Sequence, residues 1–319
     1  MSDAKIVGKS INGAIVERYQ YTRYDGIYTE SLQRIFSFVR FEIKSRIWQA
    51  RTVRWALYIW IAFWFFIVLA NLGQINYYMR MDDPYYYPTY FLDLYYLLPN
   101  TLDIQPFGFA LFSFYTFLPA FIYIAAVTGR LIFYDRQNRT IEDYFARISR
   151  WEYLTGKFAS AFFMVATPFY VMAIISYVVY TSALRVSIVS IENLYLLCCV
   201  FFWIAILTLL LCLIGVFLST LPFSNSPSAT TIVYTIILII STTFSQTLAF
   251  ITGESALLFN VFLSTRTVLN TLIGGSFPDY IWPGSYDPVI LFLISIIQIV
   301  VLITLCSLGT YYQVILKDP

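Results

Sequence analysis

Few residues in this 319-residue chain are equipped for chemistry. Histidine is absent, and Cys198, Cys199, Cys212 and Cys306 all stand inside apolar runs. That placement suits small packing residues; a disulfide needs an oxidising face and a metal site needs clustered ligands. What remains is one charged stretch, Asp135 to Lys157, in which nine residues carry charge. It ends in Thr155-Gly156-Lys157, the ending of a phosphate-binding loop. The full loop, G-x-x-x-x-G-K-[ST], requires glycine where Trp151 stands and Ser or Thr where Phe158 stands. The stretch is therefore not a nucleotide site. No convergent His, Asp, Glu or Cys set points to catalysis either, so the expectation is a non-enzyme without cofactor or metal.

With catalysis set aside, the stretch reads as mechanical. Asn138 or Thr140 can cap a first helix, with Glu142 and Asp143 at its positive end and Arg147 and Arg150 toward the other. A second helix is expected to start at Ser149, where Glu152 three residues on completes a capping box. Trp151, Tyr153 and Leu154 give it an apolar side. A helical hairpin of mixed charge with an aromatic knob can dock into a groove on a soluble partner and pass force through it.

The elements around this hairpin must be membrane helices. Hydrophobic residues make up 59% of the chain and charged ones 12%, far from the soluble average. Apolar stretches of about 20 residues, each long enough to cross a bilayer core as a helix, recur along the chain. Six spans are predicted, at 55–77, 107–133, 158–180, 194–219, 229–251 and 288–314, giving one all-α polytopic bundle. The shorter apolar run 255–264 is expected to be interfacial or re-entrant, within an external segment 252–287.

Of the 20 Lys and Arg residues, all but Arg80, Arg185 and Arg266 fall in residues 1–54, in the region from Arg130 to Lys157, or at Lys317. The positive-inside rule then puts both termini in the cytoplasm. The net charge of +2 is arranged by side and leaves no footprint for nucleic acid. Residues 1–50 lack the apolar core of a signal peptide, so insertion is expected to begin with the first span.

Residues 1–30 form a cytoplasmic N-terminal segment, and 31–54 an amphipathic elbow helix. Leu32, Ile35, Phe36, Val39, Ile43 and Ile47 share one face, while Arg34, Arg40, Lys44, Arg46 and Arg51 suit an anionic lipid leaflet. The outer loop Asn76–Pro106 is crowded with tyrosine, which suits an aromatic belt at headgroup level or, alternatively, a carbohydrate- or substrate-binding surface. In the fifth span, Thr231, Thr235, Thr242 and Gln246 fall on one helical face and can serve helix packing or line a pathway. No span centre carries an obvious acid or base of the kind proton- or ion-coupled transport needs, which favours an external energy source.

The order of parts in the charged stretch resembles the first cytoplasmic loop of type-2 ABC (ATP-binding-cassette) transporter permeases. In that family a span ends in an acidic/basic run, followed by a Gly-Thr-Leu-like turn, a leucine stretch, a Ser-Arg pair with an acidic residue, and a Gly-Lys opening the next span. Here Asp135-Arg136, Thr140-Ile141-Glu142, Tyr144-Phe145-Ala146, Ser149-Arg150-Trp151-Glu152 and Gly156-Lys157 take those places. Arg139 stands where the family has glycine, and the proline before the Ser-Arg pair is absent. The Tyr- and Gly-containing lead-in Arg18 to Gly26 resembles one subgroup of the same permeases. The resemblance implies a permease in a prokaryotic plasma membrane, with ATP bound by a separate cytoplasmic ATPase; outward transport is expected because nothing in the sequence suggests docking to an external binding protein. It also implies a second permease copy, identical or related, and a coupling loop, 134–157, in which Arg139, Glu142, Asp143, Arg147, Arg150, Trp151 and Glu152 meet the ATPase. In the family the second inside loop, here 220–228, can form a smaller docking contact. The alternative is a non-transporting membrane subunit that relays ATPase motion to an external maturation or assembly complex.

Overall fold

The computed structural model describes residues 9–11, 14–16, 31–81, 119–129, 131–133, 135, 140–145, 148–183, 189, 191–221, 229–237, 264–265, 268, 271–272 and 288–316. Its elements in chain order begin with a small antiparallel ribbon, β1 (Lys9–Ile11) and β2 (Ala14–Val16). Lys9 lies opposite Val16 and Ile11 opposite Ala14. The residues between them in sequence are Asn12 and Gly13, the dipeptide that most favours a two-residue hairpin turn. The other elements are helical. Helix α1 (Ser31–Phe41) runs into a wider π-helical turn at Glu42–Ile47. Then come α2 (Arg51–Met81), α3 (Pro119–Thr128), α4 (Thr140–Phe145), α5 (Arg150–Ala183), α6 (Ile191–Thr220), α7 (229–237) and α8 (Pro288–Tyr311).

Three of these helices contain stretches long and apolar enough to cross a membrane: Arg150–Val179, Leu197–Thr220 and Val289–Val314. They coincide with the third, fourth and sixth predicted spans. Helix α2 covers the first predicted span, while the second is described over α3 and the fifth over α7. Large apolar side chains such as Phe66, Ile297 and Leu305 face outward on α2 and α8, an arrangement suited to lipid rather than water. At 34 residues, α5 is about 51 Å long, well beyond a hydrocarbon core of about 30 Å. Its surplus lies at the start, where Arg150, Glu152 and Lys157 precede the first long apolar run.

The core gathers on α5, which packs against α1, α2 and α6, while α8 packs against α6. Trp60 of α2 stacks on Tyr123 of α3 at 5.4 Å and meets Phe169 of α5 edge-on at 4.6 Å. Helices α3 and α6 approach closely at Gly215, where a Cβ would stand 2.3 Å from Thr128 Oγ1.

One hydrogen bond explains how α5 tolerates Pro168 in its interior. Proline has no N–H, so the carbonyl of Met164, four residues earlier, loses its helical partner. The Tyr123 hydroxyl donates to that carbonyl at 2.8 Å. Tyr123→Phe should therefore cost about 1–3 kcal/mol, the desolvation penalty of an orphaned buried acceptor. Most of that cost should vanish in a Pro168→Ala background, where a helical N–H returns. Unfolding in lipid nanodiscs checks this, and an equal cost in both backgrounds would contradict it.

Candidate functional site

The hairpin that carries the charge is built by local chemistry at its second helix. Ser149 caps α5 as the sequence predicts: Glu152 N–H donates to Ser149 Oγ at 3.2 Å, and Ser149 N–H donates to Glu152 Oε2 at 2.9 Å. These two bonds satisfy donors that any helix start leaves orphaned. Helix α4 takes Thr140 as its first helical residue, one position inside a cap.

The other oxygen of Glu152 faces α1. Oε1 accepts from Ser31 Oγ at 2.6 Å and pairs with Arg34 Nη2 at 2.8 Å. The Ser31 hydroxyl first, then the Ser149 N–H, with Arg34 adding to them, hold this carboxyl well below its ordinary 4.5, at about 2. Glu152 lies in the first turn of α5, ahead of the predicted span. A carboxyl depressed by folding adds stability that is fully present above its unfolded value and lost as pH falls toward its folded one. Glu152→Gln should thus flatten the fall in unfolding midpoint between about pH 4.5 and pH 2; an unaltered acid limb would contradict the assignment.

Further along the same contact, the Phe38 ring of α1 sits edge-on to Tyr144 at 5.4 Å and tilted to Tyr153 at 6.0 Å. It also lies over Gly156, where a Cβ would come within 2.4 Å of Phe38 Cδ1. Beside it the Lys157 side chain, with no exposed surface, pairs through Nζ with Glu42 Oε1 at 2.9 Å and Asp135 Oδ2 at 2.7 Å. Asp135 Oδ2 also accepts from Tyr153 OH at 2.7 Å. The rings of Phe38, Tyr144 and Tyr153 lie 5.4 to 5.7 Å from the ammonium, within reach of cation–π attraction. Two carboxylates and one ammonium, all buried, thus tie together the π-helical turn that ends α1, the segment beyond α3, and α5.

The residues expected to meet an ATPase are distributed unevenly. Trp151 is 61% exposed, although one face stacks on Tyr311 of α8 at 4.9 Å. Arg150 places its guanidinium over the Phe145 ring at 5.3 Å. Glu152 is turned inward to α1 and is only 7% exposed. Glu142 and Asp143 belong to α4, and Arg139 and Arg147 lie outside the described residues. So do the Asn138 cap, the lead-in Arg18 to Gly26, the outer loop beyond Met81, the second inside loop beyond Leu221, and most of 252–287.

Of the polar face on the fifth span, Thr231 and Thr235 are described, while Thr242 and Gln246 lie outside. Thr235 Oγ1 donates to the carbonyl of Thr231 at 2.8 Å, and Thr231 Oγ1 reaches Ala125 O of α3 at 3.5 Å. Tyr234 OH donates to Leu211 O of α6. These hydroxyls serve helix backbones, the packing use open to that face.

The sequence reading missed Glu42 and the role of Lys157. Of the apolar face expected along the lipid leaflet, Leu32 and Phe36 are each 67% exposed, while Val39 and Ile47 are buried. The face on α5 is Ser31, Arg34, Phe38 and Glu42, spaced 3-4-4 around the helix. Among the described residues, no three His, Cys, Asp or Glu gather to hold a metal. No protein-family model matches the sequence, and neither a curated protein nor a solved structure matches it.

Proposed function

We propose that this chain is the permease subunit of an ATP-driven, type-2 ABC transporter of a prokaryotic plasma membrane. It crosses the bilayer six times with both termini in the cytoplasm, and works outward. The observation that carries the reading is the hairpin of α4 and α5. Its second helix is capped at Ser149 and braced against α1, while Trp151 remains largely open at its tip. Such a part is stiff toward the bundle and free toward a partner, the property a coupler needs. A separate cytoplasmic ATPase binds ATP and closes on it, and the hairpin passes that motion into α5, whose surplus length joins the docking end to the apolar bundle. A second permease copy, identical or related, completes the pathway. Lipid covers the outward apolar faces.

Co-purification from native membranes with a cytoplasmic ABC ATPase tests the reading. Trp and Arg dominate the energetics of most docking surfaces, so Trp151→Ala with Arg150→Ala should weaken the complex by about 2 kcal/mol. It should also uncouple ATP turnover from the membrane part. Undiminished complex formation with unchanged turnover would remove the docking assignment.

A further inference from the structure

We propose that Gly156-Lys157 is the address at which α1 docks, so that α1 and the hairpin of α4 and α5 move as one body. The pair is reached from α1 in two ways. Gly156 supplies space: the Phe38 ring occupies the volume that any β-carbon there would take. Lys157 supplies charge: its buried ammonium meets Glu42 at 2.9 Å while Asp135 holds it from the other side. One turn earlier on α5, Glu152 takes Ser31 and Arg34. Four residues on one side of α1 and the π-helical turn that continues it therefore find partners in order along α5, and none of the four is an aliphatic residue that could slide to a neighbouring register at low cost.

The helix has two further sides. Leu32 and Phe36 form an exposed apolar side, and Gln33, Ser37, Arg40 and Lys44 an exposed polar one. A helix floating on a membrane needs only those two. The third is specific to α5, and it makes α1 a fixed part of the coupler. This inference stands apart from the proposed function, since it requires no ATPase and no transport.

Hydrogen–deuterium exchange of the full chain in lipid nanodiscs tests it. The wild-type chain should protect α1 amides together with the first turns of α5. Gly156→Leu and Glu42→Gln should each lose α1 protection while α6 and α8 keep theirs. Gly156→Ala combined with Phe38→Leu, which trades ring volume for the new methyl, should regain protection relative to Gly156→Ala alone. Unchanged α1 protection in Gly156→Leu would overturn the proposal. So would loss of protection in α1, α6 and α8 together in every variant, because the pair would then be an ordinary core contact.

Discussion

An ammonium with no exposed surface, Lys157, is the constraint around which the charged end of this protein is arranged. Burying a charge is unfavourable unless partners replace the water it loses. Here Glu42 and Asp135 replace it, each within 3 Å, Tyr153 holds Asp135 in place, and three rings wall the site. Each partner comes from a different segment, so satisfying one charge fixes three pieces of chain. A surface ion pair could not do this, since solvent screening leaves such pairs worth little. Whatever moves α5 must therefore move Glu42 and Asp135 with it, or leave charges stranded in the interior.

The rest of the fold extends that constraint into the apolar bundle. Helix α5 is longer than a bilayer core requires, and packs on α1 at one end and on α2 and α6 along its length. Pro168 removes one of its internal hydrogen bonds, and Tyr123 of α3 replaces it. The same helix thus carries the charged contacts at its start and the aromatic contacts of Trp60, Tyr123 and Phe169 further on. A displacement at the hairpin has a continuous packed path into the helices suited to lipid.

What the sequence revealed follows from how far apart the interacting residues are. The Ser149–Glu152 capping box was legible because it closes within one turn. The third, fourth and sixth spans were legible because hydropathy sums over about 20 residues. Helix α1 was legible as amphipathic, but its docking face was not, because Ser31, Arg34, Phe38 and Glu42 share no polarity and leave no trace in an apolar period. Lys157 read as part of a motif, since nothing local announces that Glu42 and Asp135 will converge on it. The N-terminal ribbon did leave a signal, the turn-favouring Asn12-Gly13 between Ile11 and Ala14-Ile15-Val16.

The unfolding free energy of Lys157→Met, compared with a triple variant that adds Glu42→Gln and Asp135→Asn, tests the central claim most directly. Removing the ammonium alone strands two buried carboxylates and should cost about 3–5 kcal/mol. Neutralising all three groups together should recover most of that loss, because no charge is then left unpaired. A triple variant as unstable as Lys157→Met, or a Lys157→Met chain as stable as the wild type, would contradict the account.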